Sequence, residues 1–433
     1  MNPIHKRYAL FTALGMSALT LTACDSSSSS TAAPTVSPFS GDLSNCDATG
    51  TATSTDASGR FLIAGRAPDY SSGQIELRNM ADGSVSISYP ATGSDIRVTT
   101  DGEHAYQIGR FLMDNLTKFS LDSDTPIYQY SVNAAEESGS NPYTVVFASE
   151  NKAYIIRYGY PQIWIVDPTA TSEANFKIGE IDLSAYINST GDTPAVGDTP
   201  ASINKSPKAS NAVLLNGKLY VLMERLDVNF KPYEQGYLAV IDTATDTEID
   251  TGQSSDGLLG IPLGVNNPTN LQYVEANDLF YVVGRGNYFG SYNLDDDDDS
   301  NDLDRYTGGI VTVDPASNQA SMLLDDGSED SNIGFFNQLS VVDAGKAYLM
   351  NYESYQSSTL LRMDATTGTI EECAINDIKS KDISILGQSP NGQLWIGVND
   401  EQPLIEQIDI GTDQAVGQIE TTLPVLNVAF LPE

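Results

Sequence analysis

From residue 94 onward the chain repeats one local pattern. An apolar run is followed by a turn rich in Asp, Asn or Gly, a second run beginning near an aromatic residue, a loop, and a third run ending in Asp. Segments 141–170, 209–245 and 267–317 are the clearest copies, and 94–122, 337–368 and 382–413 are weaker ones. The runs are short, β-branched or aromatic, and bounded by turn residues, which marks them as strands. Helical periodicity is nearly absent. The two ends of the pattern are incomplete in complementary ways: segment 59–90 supplies the second, third and fourth strands of a unit but no first, and 423–432 (LPVLNVAFLP) is a strand without partners. A ring in which the last strand pairs into the first sheet satisfies both ends and leaves no open edge at the seam. The sequence therefore predicts an all-β fold, a seven-bladed β-propeller of four-stranded antiparallel blades over residues 59–433, closed by the C-terminal strand in the first blade.

Ahead of the repeats lies an address. Lys6 and Arg7 precede the short apolar stretch from Ala9 to Leu21, which reads as an export signal over residues 1–23. Leu21-Thr22-Ala23-Cys24 resembles the lipobox of bacterial lipoproteins, which implies that Cys24 is lipidated and becomes the first residue of the mature chain. Residues 24–58 then form a Ser-rich tether and lead-in. The expected location is the bacterial cell envelope, lipid-anchored, facing the periplasm or the cell surface. Two acyl chains give stable anchoring where one does not. Cys46 and Cys373, the other two thiols, would pair in an oxidising compartment; two isolated buried cysteines are the alternative.

Tyr220-Val221, followed by Tyr237-Leu238-Ala239-Val240-Ile241-Asp242-Thr243, carries a resemblance to the YVTN-type seven-bladed propellers, which include the YncE-like periplasmic proteins. Asp167, Asp314, Asp364 and Asp409 stand at the equivalent strand end. These aspartates read as turn closures, each carboxylate accepting from the next backbone N–H groups. The resemblance implies blade geometry and says little about function, which has to come from a site.

Charge narrows the possible partners. With 58 acidic against 22 basic residues and a net charge of −36, the chain has nothing with which to neutralise phosphates at scale, which excludes a nucleic-acid partner. Yet Arg66, Arg110, Arg157, Arg225 and Arg285, five of the 11 arginines, fall at nearly one register past the start of the second strand in five blades. Tyr70, Tyr158, Tyr160, Tyr288 and Tyr352 follow closely. The loops from second to third strand and from one blade to the next emerge on one face, and the long excursions (183–207, 226–236, 286–308) are expected in those two loop classes. One reading makes the arginines a ring around the channel mouth, binding carboxylate or phosphate, with tyrosine adding flat contact area. The other makes them clasps paired with acidic residues between blades.

The run 293–304 places Asp295, Asp297, Asp299 and Asn301 on alternate positions, resembling the start of a calcium loop; it lacks the Gly and Glu of an EF-hand, and a solvated acidic loop is the other reading. Two histidines, only His104 of them in the mature chain, give no basis for haem or quinone chemistry, and no nucleotide motif or GxSxG is present. The expectation is a membrane-anchored binding protein for an anionic small ligand, such as a metallophore passed to an outer-membrane transporter, or for an envelope protein. A metal-dependent lactonase or hydrolase is the alternative.

Overall fold

The structure, a computed structural model, describes residues 39, 43–47, 58–91, 93–197, 199–286, 308–328 and 331–432. The described strands form seven antiparallel blades around a hub, with strands lettered a to d outward. Blade 1 runs Val425–Phe430, Arg60–Arg66, Gly73–Asn79, Val85–Tyr89. Blade 2 is Ile96–Thr100, His104–Gly109, Asn115–Ser120, Pro126–Ser131. Blade 3 is Pro142–Ser149, Lys152–Arg157, Gln162–Val166, Lys177–Asp182. Blade 4 begins with Ala209–Leu215, Lys218–Met223 and Gln235–Asp242. Blade 5 is Pro268–Val274, Leu279–Gly284, Gly309–Asp314, Gln319–Asp325. Blade 6 is Phe336–Asp343, Lys346–Ser354, Ser357–Met363, Ile370–Ala374, and blade 7 is Ile383–Gln388, Gln393–Val398, Leu404–Asp409, Gln414–Glu420.

The ring closes as the two incomplete ends require. Phe61 pairs with Phe430, Leu62 with Ala429, Ile63 with Val428 and Ala64 with Asn427. The C-terminal strand is thus strand a of the blade whose other three strands open the ring.

Strand b reads as a nearly continuous apolar run because both of its faces are covered by neighbouring blades. In blade 3, Tyr154 and Ile156 enter the cluster shared with blade 4, whereas Ala153 and Ile155 enter the one shared with blade 2. Each neighbouring pair of blades shares one such cluster, seven around the ring. Fully burying each large aliphatic or aromatic side chain contributes about 1.5–3 kcal/mol, so the blades are held chiefly by their contacts with each other. Strand d carries the polar residues, as in blade 5, where Gln319–Asp325 is mostly exposed.

The recurrent aspartates close the c–d turns. Asp242 accepts from the N–H of Ala244 (2.8 Å) and Thr245 (3.1 Å), Asp314 from Ala316 (2.8 Å), Asp364 from Thr366 (2.8 Å) and Thr367 (2.9 Å), Asp409 from Gly411 (3.0 Å) and Thr412 (2.9 Å), and Asp167 from Thr169 (2.8 Å). On this same face, strand b of one blade reaches the next blade's turn. Lys152 and Tyr154 hold Asp246, and Lys346 and Tyr348 hold Asp413. In these two pairs of blades the clasp is built from Lys and Tyr at the start of strand b.

Cys46 and Cys373 form a disulfide. Cys46 N–H donates to Ala374 O and Ala374 N–H to Ser44 O, both at 2.9 Å, so the lead-in lies along the outer edge of blade 6. One expectation needs correction. A further long excursion, 249–260, falls inside the outer strand of blade 4, where Thr247–Glu248 and Ile261–Asn266 both pair with Gln235–Asp242. Tyr186 from the preceding link fills the gap, bonding Glu248 and accepting from Gly260 N–H at 2.6 Å, so the interrupted strand edge is satisfied by tertiary contacts that no local pattern announces.

Candidate ligand site in the channel mouth

Strand a enters the hub from the face on which strand b ends, so the first residues of every strand a meet the residues just past every strand b. They enclose a cavity of about 560 Å³ on the axis. A repeated irregularity aims the lining. In six blades the a–b ladder skips one residue at the same place, leaving Tyr143, Ser210, Thr269, Asn337, Ser384 and Leu426 as the extra residue of a β-bulge. All six line the cavity. A bulge re-aims a side chain while bending its strand, and repeated round the ring it produces a collar. Blade 2 has no bulge there, and its a–b ladder is continuous from Ile96 to Thr100; Arg97 completes the collar.

Much of the polar lining is already committed. Asn427 accepts from Val98 N–H at 2.9 Å and donates to Val98 O at 2.8 Å, and Gln338 Nε2 donates to Ser384 O at 3.1 Å. These amides zip neighbouring inner strands together. Arg97 is different. Its guanidinium has no hydrogen-bond or ion-pair partner among the described residues, and it lies 5.9 Å from the Tyr143 ring. It is half-buried and lines the cavity. Burial, with Arg110 beside it, pulls its pKa down to about 10, so it is still a cation at neutral pH.

Arg110 stacks on Tyr143 at 3.9 Å and pairs with Asp95 at 3.4 Å, while its buried Nε has no hydrogen-bond partner among the described residues. Tyr143 stacks in turn on Tyr158, ring centroids 4.4 Å apart. Tyr158 Oη donates to Glu224 Oε2 at 2.8 Å. Glu224 is buried, and burial raises its pKa above the ordinary carboxylate range against the opposing pull of Arg285. Burial likewise raises Tyr158 and lowers Lys208, whose ammonium lies 5.8 Å from the Tyr158 ring. Arg285 Nη1 donates to Asn337 Oδ1 at 3.5 Å. The cavity wall thus holds three guanidiniums, Arg97, Arg110 and Arg285, against a single carboxylate, Glu224, in a chain of net charge −36.

The five arginines at the strand-b register therefore divide. Arg110 and Arg285 line the cavity. Arg157, with its side chain 0% exposed, pairs with Glu137 and lies between the rings of Tyr160 (4.8 Å) and Trp164 (4.6 Å). Arg225 pairs with Glu234 and donates to Tyr186 O at 3.1 Å. Arg157 thus holds the link from blade 2 to blade 3, and Arg225 holds its own b–c loop and the link from blade 3 to blade 4; neither lines the cavity. Arg66 stands outside the lining and stacks on Tyr70 at 4.1 Å, with Tyr70 49% exposed. Of the tyrosines, Tyr158 lines the cavity, Tyr160 covers Arg157, and Tyr352 is buried away from the channel. Tyr288, Asp295, Asp297, Asp299, Asn301 and Cys24 lie outside the described residues. Among the described residues no group of three or more His, Cys, Asp or Glu is placed to hold a metal ion. Arg97, Tyr143 and Glu224 escaped the sequence reading. Only Tyr143 carried a signal: Pro142-Tyr143-Thr144, like Ala209-Ser210-Asn211, Pro268-Thr269-Asn270 and Phe336-Asn337-Gln338, breaks strand alternation at the entry of strand a.

No protein-family model and no curated protein sequence matches the chain. Solved structures do resemble it. A Bacteroides fragilis protein provisionally named a 6-phosphogluconolactonase superposes with a TM-score of 0.54 at 11% identity, over 88% of this chain and 99% of that one. A Bacteroides uniformis protein with the same provisional name gives 0.55 at 11% identity, over 86% and 98%. A Lactobacillus plantarum protein gives 0.55 at 13% identity, over 86% and 99%. At such identities this chain is similar to them in fold alone.

Proposed function

We propose that the chain is a membrane-anchored extracytoplasmic binding protein that holds an anionic small ligand in the mouth of its central channel. The observation that carries the reading is Arg97, a guanidinium without a partner among the described residues, facing a cavity whose other lining cations are Arg110 and Arg285. Binding energy is available because an anion would supply the charge-assisted bonds that the protein leaves unmade there. The export signal, the lipobox at Cys24 and the disulfide support a place in the cell envelope. A metallophore passed to an outer-membrane transporter is one ligand that fits this reading, and Ca²⁺ at Asp295, Asp297, Asp299 and Asn301 would offset the acidic loop's self-repulsion.

Titration calorimetry with a panel of anions, including a ferric catecholate, tests it. At least one should bind, and Arg97→Met should weaken that binding at least tenfold. Binding indifferent to Arg97→Met would overturn the reading.

One observation favours a hydrolase. Glu224 is a buried carboxyl of raised pKa in an open cavity, the setting of a general base. That reading expects turnover from a lactone panel, lost in Glu224→Gln.

A further inference from the structure

The cavity wall is not uniform around the axis. Blades 2 to 5 supply its charge and its aromatic hydroxyls, through Arg97, Arg110, Tyr158, Glu224 and Arg285. Blades 7 and 1 supply no charge and more hydrocarbon: Ile385, Leu386, Leu426, Val428 and Phe430, with Ser384 and Asn427 among them and Trp395 buried behind. Leu426 stands near the entry of strand a and Phe430 at its far end, so this wall runs from the mouth toward the opposite face. At its foot Trp395 and Phe430 meet with ring centroids 5.0 Å apart. Gly387 leaves that region open: a Cβ built there meets no atom within 4 Å, although its backbone is not in the left-handed region. A channel serving only a small polar anion has no use for hydrocarbon grouped on one side, which a hydrated ligand would leave poorly solvated.

We propose that the ligand is an amphipathic anion: a carboxylate or sulfonate head held by Arg97, Arg110 and Arg285, on a hydrocarbon or aromatic body lying against the wall of blades 7 and 1. This rests on the channel reading above and narrows it. It argues against polyhydroxylated sugar acids, whose hydroxyls would find few partners on that wall. The stacked Arg110–Tyr143–Tyr158 series lies within the charged half and is held at its end by Glu224.

Three probes titrated calorimetrically into the full chain test this: 2-naphthoate, 6-phosphogluconate and methyl 2-naphthoate. The expected result is 2-naphthoate binding at least tenfold more tightly than either of the others. Arg97→Met should weaken it at least tenfold. Gly387→Leu, which fills the foot of the channel, and Leu426→Asn should each weaken 2-naphthoate at least fivefold and leave 6-phosphogluconate unchanged. Thermal melts verify folding, and Gly387→Leu serves alone if Leu426→Asn fails to fold. If 6-phosphogluconate binds as tightly as 2-naphthoate, in an Arg97-dependent way and untouched by Gly387→Leu, the amphipathic ligand is overturned while the anion site stands. If the methyl ester binds as tightly as the acid, or no probe depends on Arg97, the anion site falls and this inference with it.

Discussion

The Lys/Tyr-to-Asp clasp occurs twice with the same chemistry and different burial, which makes its contribution measurable from within one molecule. Asp413 accepts from Tyr348 Oη at 2.6 Å and Lys346 Nζ at 2.7 Å and also pairs with Arg362; its side chain is 1% exposed. Asp246 accepts from Tyr154 Oη at 2.6 Å and pairs with Lys152 at 2.7 Å, but its side chain is 28% exposed. Both have left-handed φ, 58° and 56°, a conformation Asn tolerates, so Asp→Asn removes the charge without changing backbone preference or volume. Stripping the charge from the buried hub leaves Lys346 and Arg362 without their shared counter-ion. Breaking such a buried pair costs about 3–5 kcal/mol, and because Asn retains one acceptor for Tyr348, about 3 kcal/mol is expected for Asp413→Asn. Water screens the Asp246 pair, and about 1 kcal/mol is expected for Asp246→Asn. Urea melts followed by the emission of Trp164, in blade 3, and Trp395, in blade 7, place a reporter in each affected region. Equal losses at the two sites, or a loss below about 1 kcal/mol at Asp413, would refute the claim that burial sets the strength of this clasp.

Other outcomes follow from the ring and its channel. A stop codon after Thr422 removes strand a of blade 1, exposing the Phe61–Gly65 edge; circular dichroism and gel filtration should show loss of the folded monomer, and a native-like elution would contradict closure through that strand. Glu224→Gln should raise the melting temperature at pH 7.5. The folded-state pKa of Glu224 lies above its unfolded value, so the buried charge costs stability once pH has risen through both, and the gain should vanish as pH falls below the unfolded value of about 4.3. Replacing both Cys46 and Cys373 with Ser opens a link spanning 327 residues and should lower stability by about 2–4 kcal/mol, read by urea melts beside the reduced parent. Calcium bound at Asp295, Asp297, Asp299 and Asn301 should raise the melting temperature in a way that Mg²⁺ does not reproduce and that a double Asp295→Asn/Asp297→Asn change abolishes.

The repeat, the seam and the turn aspartates could be read in advance because each is local or periodic. A strand buried on both faces writes a continuous apolar run, a c–d turn writes Asp followed by free N–H groups, and an unmatched strand at each end of the repeat writes a ring. Conformation at those places is decided within a few residues. The arginines show where such reading stops. Arg110, Arg157, Arg225 and Arg285 stand at nearly one register, yet Arg157 is captured by Glu137 on the link from blade 2 and Arg225 by Glu234 on its own blade's loop, and Arg110 and Arg285 face the hub. Arg97 was passed over because a lone arginine in a short strand carries no periodic mark. Its position depends on blade 2 lacking the bulge that the other six blades possess. The sequence alone therefore determined the wheel and its closure. Only the tertiary structure decided that Arg97 is left without a counter-ion among the described residues and where hydrocarbon lines the channel, because side-chain direction at a bulge and the reach of a carboxylate from a neighbouring loop are set by packing between segments far apart in the chain.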